Sequence, residues 1–185
     1  MRIIAGRYRS RKLKSPTSFA TRPTSDRLRE TLFNILAPRI DGARFLDLCA
    51  GTGAVGIEAL SRGAEHVTFV DQSRKMGALI KHNCDALGID EGEIEVVTAD
   101  AADFLRRYAN KSNQPFDIIF FDPPYTVDYS ILRYVGEPES LLADDGLLIV
   151  EHHKKKDLAE NFGDLRRLRQ VRQGESVLSF YAWTT

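Results

Sequence analysis

The sequence predicts a doubly wound α/β fold: a mostly parallel sheet with helices on both faces, an antiparallel hairpin at its C-terminal end and a basic arm at its N-terminal end. Three observations carry this. From residue 44 onward, short strands apolar on both faces alternate with helical stretches, as in a parallel sheet buried on two sides. A glycine-rich turn, Gly51-Thr-Gly53-Ala-Val-Gly56, joins the first strand directly to a helix. Residues 165–172 and 177–183 flank Gly174 as a hairpin.

Residues 1–15 read as an extended piece or hairpin, with Ile3 and Ile4 before Gly6 and basic side chains alternating at Arg7, Arg9 and Arg11. A loop follows to Arg22-Pro23-Thr24. Ser25 or Thr24 then caps a helix to about Leu36, because Leu28, Leu32, Phe33, Ile35 and Leu36 recur at helical spacing, and Pro38 closes it. Strands are expected at 44–48, 66–70, 94–98, 116–121 and 147–150. Helices are expected at 54–62 and 73–87, ending at Gly63 and Gly88, and near 101–109. Residues 1–40 thus form a basic arm and helix packed on the core, and 41–185 one unit around the sheet.

The chain has 185 residues, 43% hydrophobic and 28% charged, which suits a globular domain. Apolar runs fall short of a membrane span, and the N-terminus lacks the apolar stretch of a secretory signal. Cys49 and Cys84 are too few for a disulfide scaffold and form no metal-ligand cluster, so a reduced cytoplasmic protein without metal is expected. The zero net charge hides an asymmetry. Residues 1–29 carry nine Lys/Arg against the single acid Asp26, a net of +8, and the remainder a net of −8. One face is therefore suited to a polyanion, or the terminus is merely solvated.

Four motifs follow strands one to four. Asp47-Leu-Cys-Ala-Gly51-Thr-Gly53-Ala-Val-Gly56 lets the backbone turn tightly onto a ligand at a helix N-terminus, and it also fits a dinucleotide fingerprint. Asp71, twenty residues beyond Gly51, is placed to accept hydrogen bonds from ribose hydroxyls in either class. Asp100-Ala101 reads as an adenine contact, as an N-cap, or as both. The fourth, Asp122-Pro123-Pro124-Tyr125, decides between the classes. Two prolines stiffen the turn and leave their carbonyls without local N–H competition. A carboxylate and a fixed carbonyl can hold both hydrogens of an exocyclic amine, aiming its lone pair at a methyl donor, while Tyr125 stacks on the base.

These residues match known families. An acidic Pro-Pro-Tyr turn after strand four, with the glycine loop after strand one, resembles the class I amino-methyltransferases with their Rossmann-like sheet. Arg2-Ile-Ile-Ala-Gly-Arg7, Arg22-Pro-Thr-Ser-Asp-Arg-Leu-Arg-Glu-Thr-Leu-Phe-Asn34 and Glu58-Ala-Leu-Ser-Arg-Gly-Ala64, added to those motifs, resemble the RsmD family over nearly the whole chain. That resemblance implies methyl transfer from S-adenosylmethionine, leaving S-adenosylhomocysteine, to guanine N2 of small-subunit ribosomal RNA, free or in an assembled particle. It assigns the methionine end of the cofactor to Asp47, Cys49, Ala50, Gly51, Thr52 and Gly53. Asp71 and Gln72 take the ribose, Asp100 and Ala101 the adenine, and Asp122, Pro123, Pro124 and Tyr125 the target base. Cys49 and Thr52 depart from the Phe and Ser usual in the family, and Asp71 from Glu. Cys49 is not expected to act as a nucleophile, since amine methylation needs no covalent intermediate.

Arg7, Arg9, Arg11, Lys12 and Arg22 are the expected RNA contacts, with salt-dependent affinity. His152 and His153 with Lys154, Lys155 and Lys156 form a second basic cluster, read as the solvated start of a helix. The rival readings are an adenine-N6 or protein-glutamine methyltransferase of the same fold, an NAD oxidoreductase, and an RNA-binding module without catalysis.

Overall fold

Apolar spacing produces the expected elements with small shifts at their ends. The computed structural model describes residues 1–16, 25–108, 114–124, 126–137 and 141–184. It contains α1 (Asp26–Leu36), β1 (Arg44–Leu48), α2 (Ala54–Ser61), β2 (His66–Asp71), α3 (Arg74–Leu87), β3 (Ile94–Thr98), α4 (Ala101–Tyr108) and β4 (Phe116–Phe121). Then come β5 (Leu142–His153), β6 (Asn161–Phe162), β7 (Leu165–Gln173) and β8 (Ser176–Trp183). The sheet order is β3-β2-β1-β4-β5-β8-β7-β6, with β1 to β5 mutually parallel and β8 antiparallel between β5 and β7.

Alternation along each strand feeds two cores. Phe45, Phe69, Ile118, Phe120 and Ile149 pack under α1, α2 and α3, while Leu46, Leu48, Val70, Phe121 and Val150 face α4. At roughly 1.5–3 kcal/mol for each large apolar side chain fully buried, these two layers supply the main drive for folding. Caps set the helix boundaries. The Ser25 hydroxyl accepts from Leu28 N–H at 3.2 Å, Ser73 accepts from Met76 N–H at 3.4 Å, and α3 stops at Gly88 with φ 70°.

Two expectations need correction. The fifth strand spans Leu142–His153 rather than 147–150. His152 and His153 accordingly end a strand and do not begin a helix: they pair with Val177 and Ser176 of β8. Partner-strand pairing overrides the polar, helix-like composition of this stretch.

The N-terminal arm is a hairpin, bridged at Arg2 and Lys12, with Ile3 N–H donating to the Arg11 carbonyl and Leu13 N–H to the Met1 carbonyl, both at 3.0 Å. Ile3 and Leu13 enter the core beside α1. The buckle is Glu58 on α2, which is fully buried. Its carboxylate accepts from Ile4 N–H at 2.8 Å, Ala5 N–H at 3.0 Å and Arg62 Nε at 2.8 Å, and lies 3.7 Å from the buried Arg29 Nε. Arg29 in turn donates to the Arg2 carbonyl at 2.6 Å and to Asp26 at 3.0 Å. Removing Glu58 takes the buried counter-charge from Arg29 and leaves two backbone donors unpaired, a loss of roughly 3–5 kcal/mol. Glu58→Ala is expected to lower Tm by about 6–15 °C and to raise amide exchange at Ile4 and Ala5; unchanged protection there would refute the buckle.

Candidate functional site

Strand order reverses between β1 and β4: connections from β1 run outward to β2 and β3, and those from β4 run the other way to β5. Loops at the C-terminal ends of these neighbours diverge and leave a crevice. A hollow of about 740 Å³ lies there, and the glycine loop and the acidic proline turn both line it. The two are tied together, with Asp122 N–H donating to the Leu48 carbonyl at 3.4 Å.

The loop after β1 turns through three left-handed residues, Cys49 (φ 62°), Gly51 (φ 54°) and Gly53 (φ 75°). A cysteine in that region is disfavoured, a strain common where backbone is shaped for a ligand. Gly56 serves packing instead: a Cβ would lie 2.3 Å from Phe69 Cε1. The second hydrogen-bonding network of the loop comes from β2. Asp71 accepts from Gly51 N–H at 2.9 Å and from Ser73 N–H at 2.8 Å, so it fixes both the loop and the start of α3. Each carboxylate oxygen has a second lone pair, so acceptor capacity toward the hollow remains.

Asp47 is 2% exposed, and its Oδ2 accepts from Gly56 N–H at 2.9 Å. Burial pushes its carboxyl up to about 7; the Gly56 bond opposes this and nearby Asp71 adds to it. Asp100 caps α4, with Oδ1 accepting from Ala102 N–H at 2.9 Å and Asp103 N–H at 3.4 Å, while lining the hollow beside Ala101. The cap and the ligand-facing position coexist. Cys49 has its thiol pushed up to about 12, first by burial and then by Asp71, Asp122, Asp47 and Asp100. A thiol so held is no nucleophile.

Pro123 and Pro124 line the hollow, together with Ala50, Thr52 and Gln72. Contrary to expectation, the Pro124 carbonyl does meet a local donor, Val127 N–H at 3.0 Å, because the turn curls back on itself. Tyr125 and Arg22 lie outside the described residues. Of the other expected RNA contacts, Arg7 is engaged by Glu93 and stacks 4.7 Å from the Tyr8 ring, and Arg11 donates to the Ala86 carbonyl at 3.1 Å. Arg9 and Lys12 are exposed.

Several lining residues escaped the sequence reading. Glu151, His152, His153 and Ser176 border the hollow from β5 and β8. Desolvation lowers the pKa of buried His152, whose Nδ1 lies 3.1 Å from the His153 carbonyl and whose Nε2 lies 2.8 Å from Ser179 Oγ. Asn83 was missed as well. It donates to the Lys14 carbonyl at 3.2 Å and the Thr52 carbonyl at 3.4 Å, tying the arm to the glycine loop. Such pairings span long sequence separations and carry no local motif.

The charge balance is one-sided. Asp47, Asp71, Asp100, Asp122 and Glu151 line the hollow, and among the described residues no Lys or Arg does. A pyrophosphate would be repelled, and Asp47 already fills the helix N-terminus that a dinucleotide would need. A cationic ligand is favoured.

Comparison with known proteins agrees. The family described as Conserved hypothetical protein 95 matches residues 1–182. Bacillus subtilis YlbH is 38% identical over 183 residues, covering 98% of each chain. Ribosomal RNA small subunit methyltransferase D of Escherichia coli is 40% identical over 161 residues, 85% of this chain and 77% of that one. The solved structure of Escherichia coli yhhF superposes with a TM-score of 0.84 at 35% identity, covering 99% of this chain and 97% of that one. The sheet is thus that of the class I methyltransferases, and the chain belongs to the Conserved hypothetical protein 95 family, in the company of ribosomal RNA small subunit methyltransferase D.

Proposed function

We propose that this protein is an S-adenosylmethionine-dependent methyltransferase that modifies guanine N2 in small-subunit ribosomal RNA in the cytoplasm. The observation that carries the reading is the shared hollow: an acidic, proline-stiffened turn opens into the same carboxylate-lined crevice as the strained glycine loop. Its relatives named as ribosomal RNA methyltransferases support the RNA substrate.

The residues present suit that cofactor. Its two positive centres, an ammonium and a sulfonium, would meet a lining that carries carboxylates and, among the described residues, no Lys or Arg. Asp47 and the turn from Cys49 to Gly53 would hold the methionine end, Asp71 and Gln72 the ribose, Asp100 and Ala101 the adenine. When bound, the cofactor supplies an electrophilic methyl group.

The chain itself orients the acceptor. An aromatic amine is a weak nucleophile because its lone pair is delocalised into the ring. Asp122 and the Pro123 carbonyl would each accept one of its hydrogens, which favours a pyramidal nitrogen and points the lone pair along the transfer axis. After in-line transfer the amine proton leaves by Asp122 or water. The recessed hollow requires an unpaired or flipped base. Exposed Arg9 and Lys12, with Arg22, would engage phosphates.

Mass mapping of ribosomal RNA with and without the protein tests this directly. One N2-methylated guanine that vanishes with the protein and returns when purified enzyme acts on unmodified small-subunit particles is expected. A lost N6-methyladenine, or methylation only of a protein glutamine, would assign the fold to its rivals.

A further inference from the structure

Four carboxylates leave the sheet in strand order, Asp71 from β2, Asp47 from β1, Asp122 beyond β4 and Glu151 within β5. Phe69, Phe45, Phe120 and Ile149, each two residues earlier, all lie in the core beneath α1 to α3. Alternation therefore sends the four acids toward one face. The register sets their depth. Asp47 pairs with Phe69 and Phe120, so it sits one pleat below Asp71 and Asp122. Phe121 pairs with Val150, so the next residues, Asp122 and Glu151, emerge at one level from strands about 4.8 Å apart.

Asp71 and Asp47 have cofactor assignments, and Asp122 has the amine. Glu151 has none. It is 8% exposed, lines the hollow, and its Oε1 accepts from the Ser176 hydroxyl at 3.1 Å, one of the several hydrogen bonds a carboxylate can accept. An acid buried at the outer end of such a row is suited to a donor that neighbours the reacting amine.

We propose that Glu151 selects guanine: its carboxylate accepts the N1–H that lies beside the N2 amine held at Asp122. This rests on the reading of the reaction given above. Guanine presents N2–H and N1–H as adjacent donors on one edge, matching two adjacent acceptor groups. Adenine presents its N6 amine beside N1, an acceptor, and a glutamine amide presents its nitrogen beside a carbonyl oxygen. Either would set a lone pair against the Glu151 carboxylate in a hollow with no Lys or Arg among its described lining residues. Leaving a buried polar group mispaired is what makes such selection strong.

The test uses small-subunit particles reconstituted with guanine or 2-aminopurine at the nucleotide that mass mapping identifies. 2-Aminopurine keeps the 2-amine and replaces N1–H with an acceptor. Wild-type enzyme is expected to favour guanine by about 10- to 100-fold in kcat/KM. Glu151→Gln, whose amide serves either edge, is expected to bring that ratio to about one while S-adenosylhomocysteine affinity stays within about threefold. A wild-type ratio near one overturns the proposal whatever the variant does. So does a Glu151→Gln enzyme that keeps the wild-type ratio, the signature of a merely structural role, or one that binds S-adenosylhomocysteine yet methylates neither base. If wild-type enzyme methylates no guanine at all, it is the underlying reading of the reaction that fails.

Discussion

Asp122→Ala is expected to reduce kcat by about 10²–10⁴-fold while leaving cofactor affinity within about threefold. The side chain stands at the C-terminal end of β4, and its backbone N–H is anchored on the Leu48 carbonyl at 3.4 Å, so truncation at Cβ leaves the turn in place. The glycine loop is held by other groups: Gly51 N–H by Asp71, and Gly56 N–H by Asp47. On the proposed reading, what would disappear is an acceptor for one amine hydrogen, and with it the alignment of the nitrogen lone pair. Interactions realised chiefly in the transition state affect kcat rather than ground-state binding. Asp122→Asn keeps one acceptor oxygen and is expected to lose less activity than the alanine variant. Single-turnover methyl transfer to small-subunit particles, with calorimetry of S-adenosylhomocysteine binding, separates the effects. Normal turnover by Asp122→Ala would leave an RNA-binding role without catalysis as the better account.

The prominence of Asp122 in the sequence has a physical basis. The run 118–121 is apolar on both faces and reads as a buried strand, and two successive prolines follow Asp122 and end it abruptly, so position and chemistry are both local. The same holds for β1, whose end, acid and glycines lie within a few residues, and for β2, which ends on Asp71. Legibility failed where structure depends on distant partners. The start of β5, Leu142 to Gly146, holds two acids and a glycine and no apolar run, yet Leu142 pairs with Phe116. At its other end the basic run from His152 to Lys156 carries no strand signal, and the pairing of His152 and His153 is set by the distant β8. Glu151 and Asn83 gave no signal. One becomes part of the site because β8 brings Ser176 beside it, the other because α3 passes between Lys14 and Thr52. The basic arm was visible as charge alone; that Arg7 and Arg11 meet Glu93 and the Ala86 carbonyl at the surface follows only from the hairpin's docking.

Asp47→Asn is expected to cripple cofactor capture and yet to stabilise the protein alone. In the folded chain burial pushes the Asp47 carboxyl up to about 7, against a Gly56 hydrogen bond that lowers it and an Asp71 charge that raises it. In an unfolded chain the same group ionises near pH 4. Between about pH 4 and pH 7 the native state therefore holds a proton that the unfolded state has lost, so stability falls as pH rises through that window and stays lowered above it. A neutral asparagine, still able to accept from Gly56 N–H, removes that contribution; at pH 8 the gain is roughly 1–3 kcal/mol, or about 3–10 °C in Tm. Cofactor binding runs the other way. An ammonium at the methionine end is attracted only by the ionised carboxylate, so affinity is expected to rise about tenfold per pH unit below 7 and level off above it. Near pH 8 the free amino group begins to lose its own proton, and affinity declines again. Calorimetry of S-adenosylhomocysteine binding from pH 5.5 to 9 should trace this bell in the wild-type protein. Asp47→Asn should bind about 10²–10³-fold more weakly at pH 7.5 and lack the acid limb. A wild-type affinity that is flat from pH 5.5 to 7 would remove Asp47 from the cofactor site. A bell lost together with a raised Tm would instead mark this carboxylate as a group that folding disfavours and ligand binding requires, an acid kept at the floor of the crevice for its charge.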